Sequence, residues 1–245
     1  MKNFARWLFN LLFTLIPVFL LVVFFVSLST FFRDLNEYRA RQAQATEARL
    51  ETVGLRAVGN TSSQNLAQAQ RIVSRRLQNL GVRGFRVKVA GSTLTVRLPP
   101  LEAPLRTRAE ALLTQRGNLA FQLVKPSASN RSLAQIRPTD LEAPALTNRD
   151  LDRVQATQGE SGRPALTLRF SREGAARFAH LTSAHVGRRL ALVLDGRVLI
   201  APTIRGPITG GAVSIQGFSS AQETERISDL LQTPPLPVRL ELVKP

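Results

Sequence analysis

The apolar residues of this chain follow three patterns, and the first is an unbroken run near the amino terminus. Residues 7–32 contain no charged side chain and consist mostly of Leu, Phe, Val and Ile. As a helix this run would extend about 39 Å, which is more than the roughly 30 Å hydrocarbon core of a bilayer. The apolar cores of cleaved signal peptides span only about 7–15 residues. The pattern therefore predicts an uncleaved transmembrane helix within residues 1–32.

The segment after this run is polar and contains no Gly or Pro. Residues 33–51 are rich in Ala, Gln, Arg and Glu, which predicts a helical stalk.

Basic residues lie on both sides of the apolar run, so the positive-inside count does not decide its orientation. A short tail before the run and a large domain after it favour a cytoplasmic amino terminus and a single span.

Residues 52–125 and 220–245 combine the helical period of 3.6 with strand-like alternation. Ser62 is a plausible N-cap for the first helix, whose apolar residues recur at spacings of three and four. Half-buried alternating strands need one face covered by helices, so the order predicts a ferredoxin-like α+β base domain. The predicted elements are a weak strand at Thr52–Val58, a helix at Ser63–Asn79, strands at Phe85–Val89 and Leu94–Leu98, a helix at Pro104–Gln115, a strand at Leu119–Leu123, and a closing helix and strand at Ser220–Gln232 and Val238–Leu242.

Residues 126–219 interrupt this order and predict an inserted α+β head subdomain. The insert opens with polar, Pro-containing sequence, and Asp195-Gly196 is a strong two-residue hairpin turn between apolar strands. Gly206–Gly211 (GPITGG) predicts a loop. The other predicted elements are a capped helix at Thr147–Val154, a strand at Leu166–Phe170, a helix from Ser171 to Val186, a buried strand at Leu190–Leu194, and strands at Val198–Ile200 and Val213–Ile215.

The formal net charge of +16 does not by itself indicate that the chain binds nucleic acid. Residues 52–125 hold 12 basic and 2 acidic side chains, but few aromatic residues lie among them. Single-stranded nucleic acid is usually bound by such aromatic stacking platforms. A solvated or lipid-facing basic surface is therefore favoured, with membrane lipid as a partner and no nucleic acid expected. A tethered binder of nucleic acid or anionic lipid stays as an alternative.

Candidate catalytic chemistry is sparse. The chain has no cysteine, which excludes disulfides, thiolate metal sites and Cys nucleophiles. His180 and His185 are five residues apart and would not share a helix face as two metal ligands would. The GPITGG segment lacks the Lys-Ser/Thr of a phosphate-binding loop. We predict no enzyme activity, no metal and no cofactor.

The run from Gly162 to Pro237 resembles the head region of SecD, a subunit of the Sec protein-export translocase. Upstream, Ile72–Val82 and the strand pair ending at Leu98-Pro99 resemble the base region of the same first periplasmic domain. Each motif is weak alone, but their order and spacing make a chance match improbable. The matching pieces of the head are Glu173-Gly174-Ala175, Phe178-Ala179, Leu181-Thr182, Val186-Gly187, Leu194-Asp195-Gly196, Ala201-Pro202 and Ile208-Thr209-Gly210-Gly211.

This resemblance implies a protein of the bacterial plasma membrane, with its bulk outside the cytoplasm, that assists polypeptides leaving the Sec channel. The implied partners are the Sec translocon or SecF-like membrane subunits and exported unfolded polypeptides. Asp195 and Gly196 are expected to be a structural turn. The loop expected to contact polypeptide consists of Pro207, Ile208, Thr209, Gly210 and Gly211.

Two departures from the family pattern qualify this expectation. Val53-Gly54-Leu55 stands where the family has Asp-Leu-x-Gly-Gly, and the usual Leu-Leu-Arg-Ala-Gly-Ala-Leu-Pro run is replaced by the segment 230–237. The sequence given ends at Pro245, without the transmembrane bundle of the family, so we expect no proton-motor activity of its own. The alternative function is an envelope scaffold that reuses the same domain.

Overall fold

The computed structural model describes residues 28–41, 50–59, 61–159 and 162–243. Residues 28–41 are helical (α1) and include part of the predicted stalk. Within the described ranges, no helix combines the length and the apolar character needed to cross a bilayer. Most of the predicted transmembrane helix lies outside these ranges, as does the rest of the stalk up to residue 49. Residues 51–245 make up one compact unit, separate from residues 1–50.

The compact unit contains eleven strands, four α-helices and four one-turn 3₁₀ helices within the described residues. These elements are, in chain order, β1 (Glu51–Val58), α2 (Ser63–Asn79), β2 (Arg86–Ala90), β3 (Thr93–Leu98), α3 (Ala103–Thr114), β4 (Leu119–Leu123), 3₁₀ helices at Pro126–Ala128, Leu133–Gln135 and Pro138–Asp140, β5 (Leu146–Thr147), a 3₁₀ helix at Asn148–Asp150, β6 (Leu151–Gln158), β7 (Pro164–Phe170), α4 (Arg172–Ala184), β8 (Leu190–Leu194), β9 (Arg197–Ile200), β10 (Ala212–Gln216), α5 (Ala221–Leu231) and β11 (Arg239–Val243).

The first layer of the unit is a four-stranded antiparallel sheet in the order β11-β1-β3-β2. With α2 and α3 it follows the β-α-β-β-α-β order of a ferredoxin-like unit. Ser62 caps α2 as expected, because its hydroxyl accepts a hydrogen bond from the Asn65 amide at 3.2 Å. Alternate strand residues pack against the apolar stripe of α2 and include Leu55, Leu94 and Val96, all fully buried. We call this layer the base.

The remaining elements form a second body, which we call the head. It contains a three-stranded sheet in the order β10-β7-β6 and a four-stranded sheet in the order β5-β4-β8-β9. Helices α4 and α5 share one apolar core with both sheets. Three rings lie at the centre of that core: Phe170 stacks on Phe178 with centroids 4.4 Å apart, and Phe121 lies within 5.6 Å of both.

Two elements predicted for the base pair or pack with elements of the head. Strand β4 pairs with β5 and β8 rather than with any base strand. Helix α5 packs mainly against β6 and β7. Alternation shows that one face of a strand is buried, but it does not identify the partner strand. We therefore propose that the head comprises residues 117–232 and that the chain crosses between the two bodies near Arg116 and Thr233, rather than near residues 125 and 218.

The helix predicted at Thr147–Val154 was also wrong. Thr147 does cap a helix, but only the single 3₁₀ turn Asn148–Asp150, after which β6 begins at Leu151. The Asp150 carboxylate closes that turn by accepting from the Thr147 amide at 2.7 Å, and it forms an ion pair with Arg177 at 2.8 Å. Pairing with β7 then holds the following residues extended, which shows tertiary context overriding a local cap signal.

Candidate functional site

The GPITGG loop borders an apolar cavity of about 540 Å³ inside the head. Of the five residues predicted to contact polypeptide, Pro207 and Ile208 line this cavity, whereas Thr209, Gly210 and Gly211 do not. Ligand pockets of about 300–1,000 Å³ are typically apolar with a few polar groups. The other lining residues are Phe121, Phe178, Thr182, Leu190, Leu192, Ile200, Pro202, Thr203, Ile204, Arg205, Gly206, Val213, Ser214, Ile215 and Gln216.

A buried hydroxyl holds the loop over the cavity. Thr182 of α4 is fully buried, and its oxygen accepts a hydrogen bond from the Ile208 amide at 3.0 Å. The same hydroxyl donates to the Phe178 carbonyl at 2.9 Å. Both partners are main-chain groups, so this hydroxyl links α4 to the loop, and the Ile208 side chain also packs against the head core.

The end of the loop needs a glycine. Gly211 has a φ of +68°, a conformation that other residues rarely adopt. Its carbonyl accepts from the Phe170 amide at 2.9 Å, which aligns β10 with β7 directly after the turn.

Two edge strands flank the cavity. Strand β9 is at the edge of the four-stranded head sheet, and β10 is at one edge of the three-stranded sheet. Ile200 of β9 and Val213 of β10 both line the cavity. Edge strands present main-chain groups that can pair with an added strand, and alternate side chains of that strand can enter a pocket. The arrangement can therefore bind an extended chain with an apolar side chain.

The Asp195-Gly196 turn lies elsewhere, at the crossing between head and base. Asp195 and Gly196 both have positive φ, as a two-residue hairpin turn requires. The Asp195 carboxylate accepts from the amides of Gly117 and Asn118 at 3.0 and 2.8 Å, and the Asp195 amide donates to the Asn118 carbonyl at 2.9 Å. The turn thus fastens the first crossing of the chain.

Sequence reasoning missed a buried arginine at the same crossing. Arg76 of α2 is 1% exposed, and burial lowers its pKa to about 10, partly offset by Asp195. The guanidinium therefore stays charged at neutral pH and donates to four acceptors. These are Thr233 Oγ1 at 3.0 Å and the carbonyls of Leu112, Gln115 and Arg116 at 2.7, 2.6 and 2.8 Å. A signal was present: Arg76 lies three residues after Val73, on the apolar stripe of the helix.

No metal site is assembled in the part of the chain that the structure describes. Within that part, no group of three or more His, Asp or Glu side chains could hold a metal ion. His180 and His185 border one small cavity beside α4, and the His185 ring contacts the Leu181 carbonyl at the end of the helix.

Known proteins share this sequence and fold. A family model described as the SecDF P1 head subdomain matches residues 127–238, a range that includes α5. The SecDF translocase subunit of Thermus thermophilus is 36% identical over an alignment of 208 residues, and the match covers 76% of this chain and 28% of that protein. The SecD subunit of Acidaminococcus fermentans is 37% identical over 175 residues, 71% of this chain and 37% of that protein. The chain therefore spans well under half the length of these relatives.

Two solved structures are similar to this chain in both fold and sequence. One, titled as the structure and function of a membrane component SecDF that enhances protein export, has a TM-score of 0.72 at 35% identity. The match covers 80% of this chain and 99% of that chain, so the equivalent part of a relative is a folded chain on its own. A SecDF crystal structure in a super-membrane-facing form has a TM-score of 0.73 at 34% identity and covers 79% of this chain and 29% of that one. The chain therefore belongs to the SecD/SecDF family, as a homologue of its periplasmic P1 region.

Proposed function

We propose that this chain is a membrane-anchored, extracytoplasmic accessory of Sec-dependent protein export, and that its head contacts unfolded polypeptide during export. A relative is described as a component that enhances protein export. The single observation that supports the head as the contact is the apolar cavity between edge strands β9 and β10. The Sec translocon or SecF-like membrane subunits are the proposed partners, as the resemblance implies.

The chemistry of the contact is hydrophobic burial with strand pairing. Burying one large apolar side chain contributes about 1.5–3 kcal/mol, and binding must overcome the entropy of association. One anchor of this size supports only weak affinity, because even a millimolar Kd corresponds to about −4.1 kcal/mol. Weak binding suits the task, since an exported chain must be released as it advances. The contact requires no proton-driven step.

The proposal can be tested by filling the cavity. Val213→Phe places a ring in the cavity from β10, whereas Val198→Phe enlarges a half-buried valine of β9 that does not line it. Fluorescence anisotropy with an unfolded peptide rich in Leu and Phe would measure binding to the full-length chain. Thermal unfolding would check that both variants fold.

We expect Val213→Phe to weaken peptide binding about tenfold or more, while Val198→Phe changes it less than twofold. Equal effects of the two variants would refute the cavity as the binding site. A folded chain that binds no apolar peptide, and whose loss leaves export unchanged, would favour the envelope scaffold instead.

A further inference from the structure

A second cavity lies between the base and the head, and its lining is polar. Its volume is about 860 Å³, and we call it the junction cleft. One wall is the end of α2, another is the first half of β6, and the third is the segment that follows α5. The lining residues are Arg75, Asn79, Asn148, Arg149, Leu151, Asp152, Arg153, Val154, Gln155, Leu231, Gln232, Thr233, Pro234 and Pro235.

The cleft concentrates positive charge that is not neutralised locally. Arg75, Arg149 and Arg153 are exposed, and among the described residues none of their side chains forms an ion pair. Asp152 is the one acidic residue of the lining. Some arginines of the unit are matched with carboxylates, such as Arg108 with Glu225 and Asp229, and Arg177 with Asp150, whereas the cleft brings three unmatched ones together. The other polar lining residues are amides and a hydroxyl, which can also donate hydrogen bonds. The lining is therefore suited to an anionic ligand.

One wall of the cleft is the outer edge of a sheet, and α5 covers part of that edge, because the Ser228 hydroxyl donates to the Val154 carbonyl there at 3.2 Å. The three-stranded head sheet has the order β10-β7-β6, so β6 pairs with β7 on one side and has no strand on the other. The apolar cavity adjoins β10 at the opposite edge of the same sheet. A polypeptide segment can place several carboxylates along the cleft, whereas a phosphate ion offers a single charged group. The volume of the cleft also exceeds the needs of a small ion.

We propose that the junction cleft binds an acidic, extended polypeptide segment, which directs its carboxylates to Arg75, Arg149 and Arg153. A bulge between Leu151 and Arg153 and the Ser228 hydrogen bond to Val154 leave no continuous ladder on β6 within the cleft. The arginines therefore supply most of the affinity. Arginine is well suited to binding the carboxylates of such a segment, because its guanidinium can donate two hydrogen bonds to one carboxylate.

Binding in the junction cleft would also bridge the two bodies. Arg75 belongs to α2 of the base, whereas Arg149 and Arg153 belong to the head. A single acidic segment that contacts all three would couple head and base without any change in the buried contacts of Arg76. This site does not depend on the apolar cavity, and the two can be tested separately.

The test measures binding of a labelled twelve-residue peptide of alternating Glu and Thr to the full-length chain in neutral detergent. The matched probe has Gln in place of Glu. The cleft variant is Arg75→Gln, Arg149→Gln and Arg153→Gln together. The control variant removes the same charge at Arg163, Arg169 and Arg172, which are exposed head arginines that line neither cavity.

We expect the cleft variant to weaken binding of the acidic peptide at least tenfold and the control variant less than twofold. Asp152→Asn should strengthen binding of the acidic peptide about twofold, because it removes a negative charge that repels the peptide. The Gln peptide should bind at least tenfold more weakly. Equal losses for both triple variants would show nonspecific charge attraction and overturn the proposal, as would equal binding of the two peptides.

Two further readouts separate the alternatives. Amide hydrogen exchange of residues 149–155 should slow at least threefold when the acidic peptide covers them, and unchanged exchange would refute binding in the cleft. Complete displacement of the peptide by millimolar inorganic phosphate would identify a small-anion site instead. Val213→Phe should leave binding of the acidic peptide unchanged. A negative result for the junction cleft can therefore be distinguished from a negative result for the apolar cavity.

Discussion

The base and the head use similar strands and helices, but they differ in what those elements leave open. The base buries one face of a single sheet under α2 and α3, and its core residues fill the space between them. The head arranges two sheets and two helices around a larger core and leaves a 540 Å³ apolar cavity beside its edge strands. The difference in open space is the reason that the proposed apolar contact is assigned to the head rather than to the base.

The two bodies meet through apolar contacts, to which Leu112 of α3 contributes, and through a buried polar network. Arg76 from the base and Asp195 from the head bind main-chain groups of adjacent residues, 115–118. Fully satisfied buried polar networks specify one arrangement, because any displacement leaves buried groups without partners. The following predictions test this comparison, from the largest expected effect to the smallest.

Loss of the Arg76 guanidinium should have the largest effect. Arg76→Met keeps an apolar stem but leaves three carbonyls and the Thr233 hydroxyl without their donor. We expect the free energy of unfolding of residues 50–245 to fall by about 3 kcal/mol or more. Arg75→Met, at the exposed neighbouring position, should cost less than about 0.5 kcal/mol. Urea denaturation would measure both, and equal costs would contradict the importance of the junction.

Removal of the Asp195 carboxylate should have a smaller effect at the same junction. Asp195→Ala removes the acceptor of two amides and places alanine at a φ of +51°. We expect a cost of about 2 kcal/mol. Asp195→Asn retains an acceptor and tolerates this backbone conformation better, so it should cost about half as much. If Asp195→Ala and Asp195→Asn lowered the free energy of unfolding equally, the side-chain acceptor of the Gly117 and Asn118 amides would contribute nothing to stability.

A change at Thr182 should affect the head alone. Thr182→Val keeps the shape of the side chain but leaves the Ile208 amide without its acceptor. We expect a loss of about 1 kcal/mol, together with faster hydrogen exchange at Ile208 and unchanged exchange in the base. Thr182→Ser retains the hydroxyl and is the control for that exchange rate. Similar exchange at Ile208 in both variants would mean that the loop is held by other contacts.

The smallest effect concerns the start of α5 and depends on pH. The Ser219 hydroxyl and amide both donate to the Glu223 carboxylate, and these bonds lower the pKa of Glu223 below its ordinary 4.5. Because the pKa is lower in the folded state, the stabilisation is fully present above pH 4.5 and is lost as the pH falls through the folded value. Glu223→Gln should therefore cost a few tenths of a kcal/mol at pH 7, and progressively less as the pH falls below 4.5 through the folded value. A difference that is independent of pH would refute this assignment.

The sequence predicted the base better than the head, for reasons that particular residues illustrate. The cap at Ser62 and the alternation in β2 and β3 are local signals, and the structure bears them out. The alternation of Leu119, Phe121 and Leu123 was equally clear, but it does not show whether the strand pairs with β1 or with β8. The Thr147 cap was a real signal that applied to one turn only.

The candidate site residues also divide into those that a local sequence pattern indicates and those that only the fold brings together. Pro207 and Ile208 were named from a loop motif, and they line the cavity. The cavity itself depends on residues from β4, α4, β8, β9 and β10 that meet only after folding, so no local pattern could indicate it. Arg76 carried a helical-stripe signal, whereas Arg75, Arg149 and Arg153 come together through tertiary packing alone.

Site-specific photocrosslinking in the full-length chain tests most directly whether the head, rather than the base, contacts exported polypeptide. One crosslinker would replace Ile208, which lines the head cavity, and the other would replace Arg86 on β2 of the base sheet. With a secretory chain stalled during export, we predict that position 208 captures that chain at least fivefold more often than position 86. Equal capture at both positions, or capture at position 86 alone, would contradict the account.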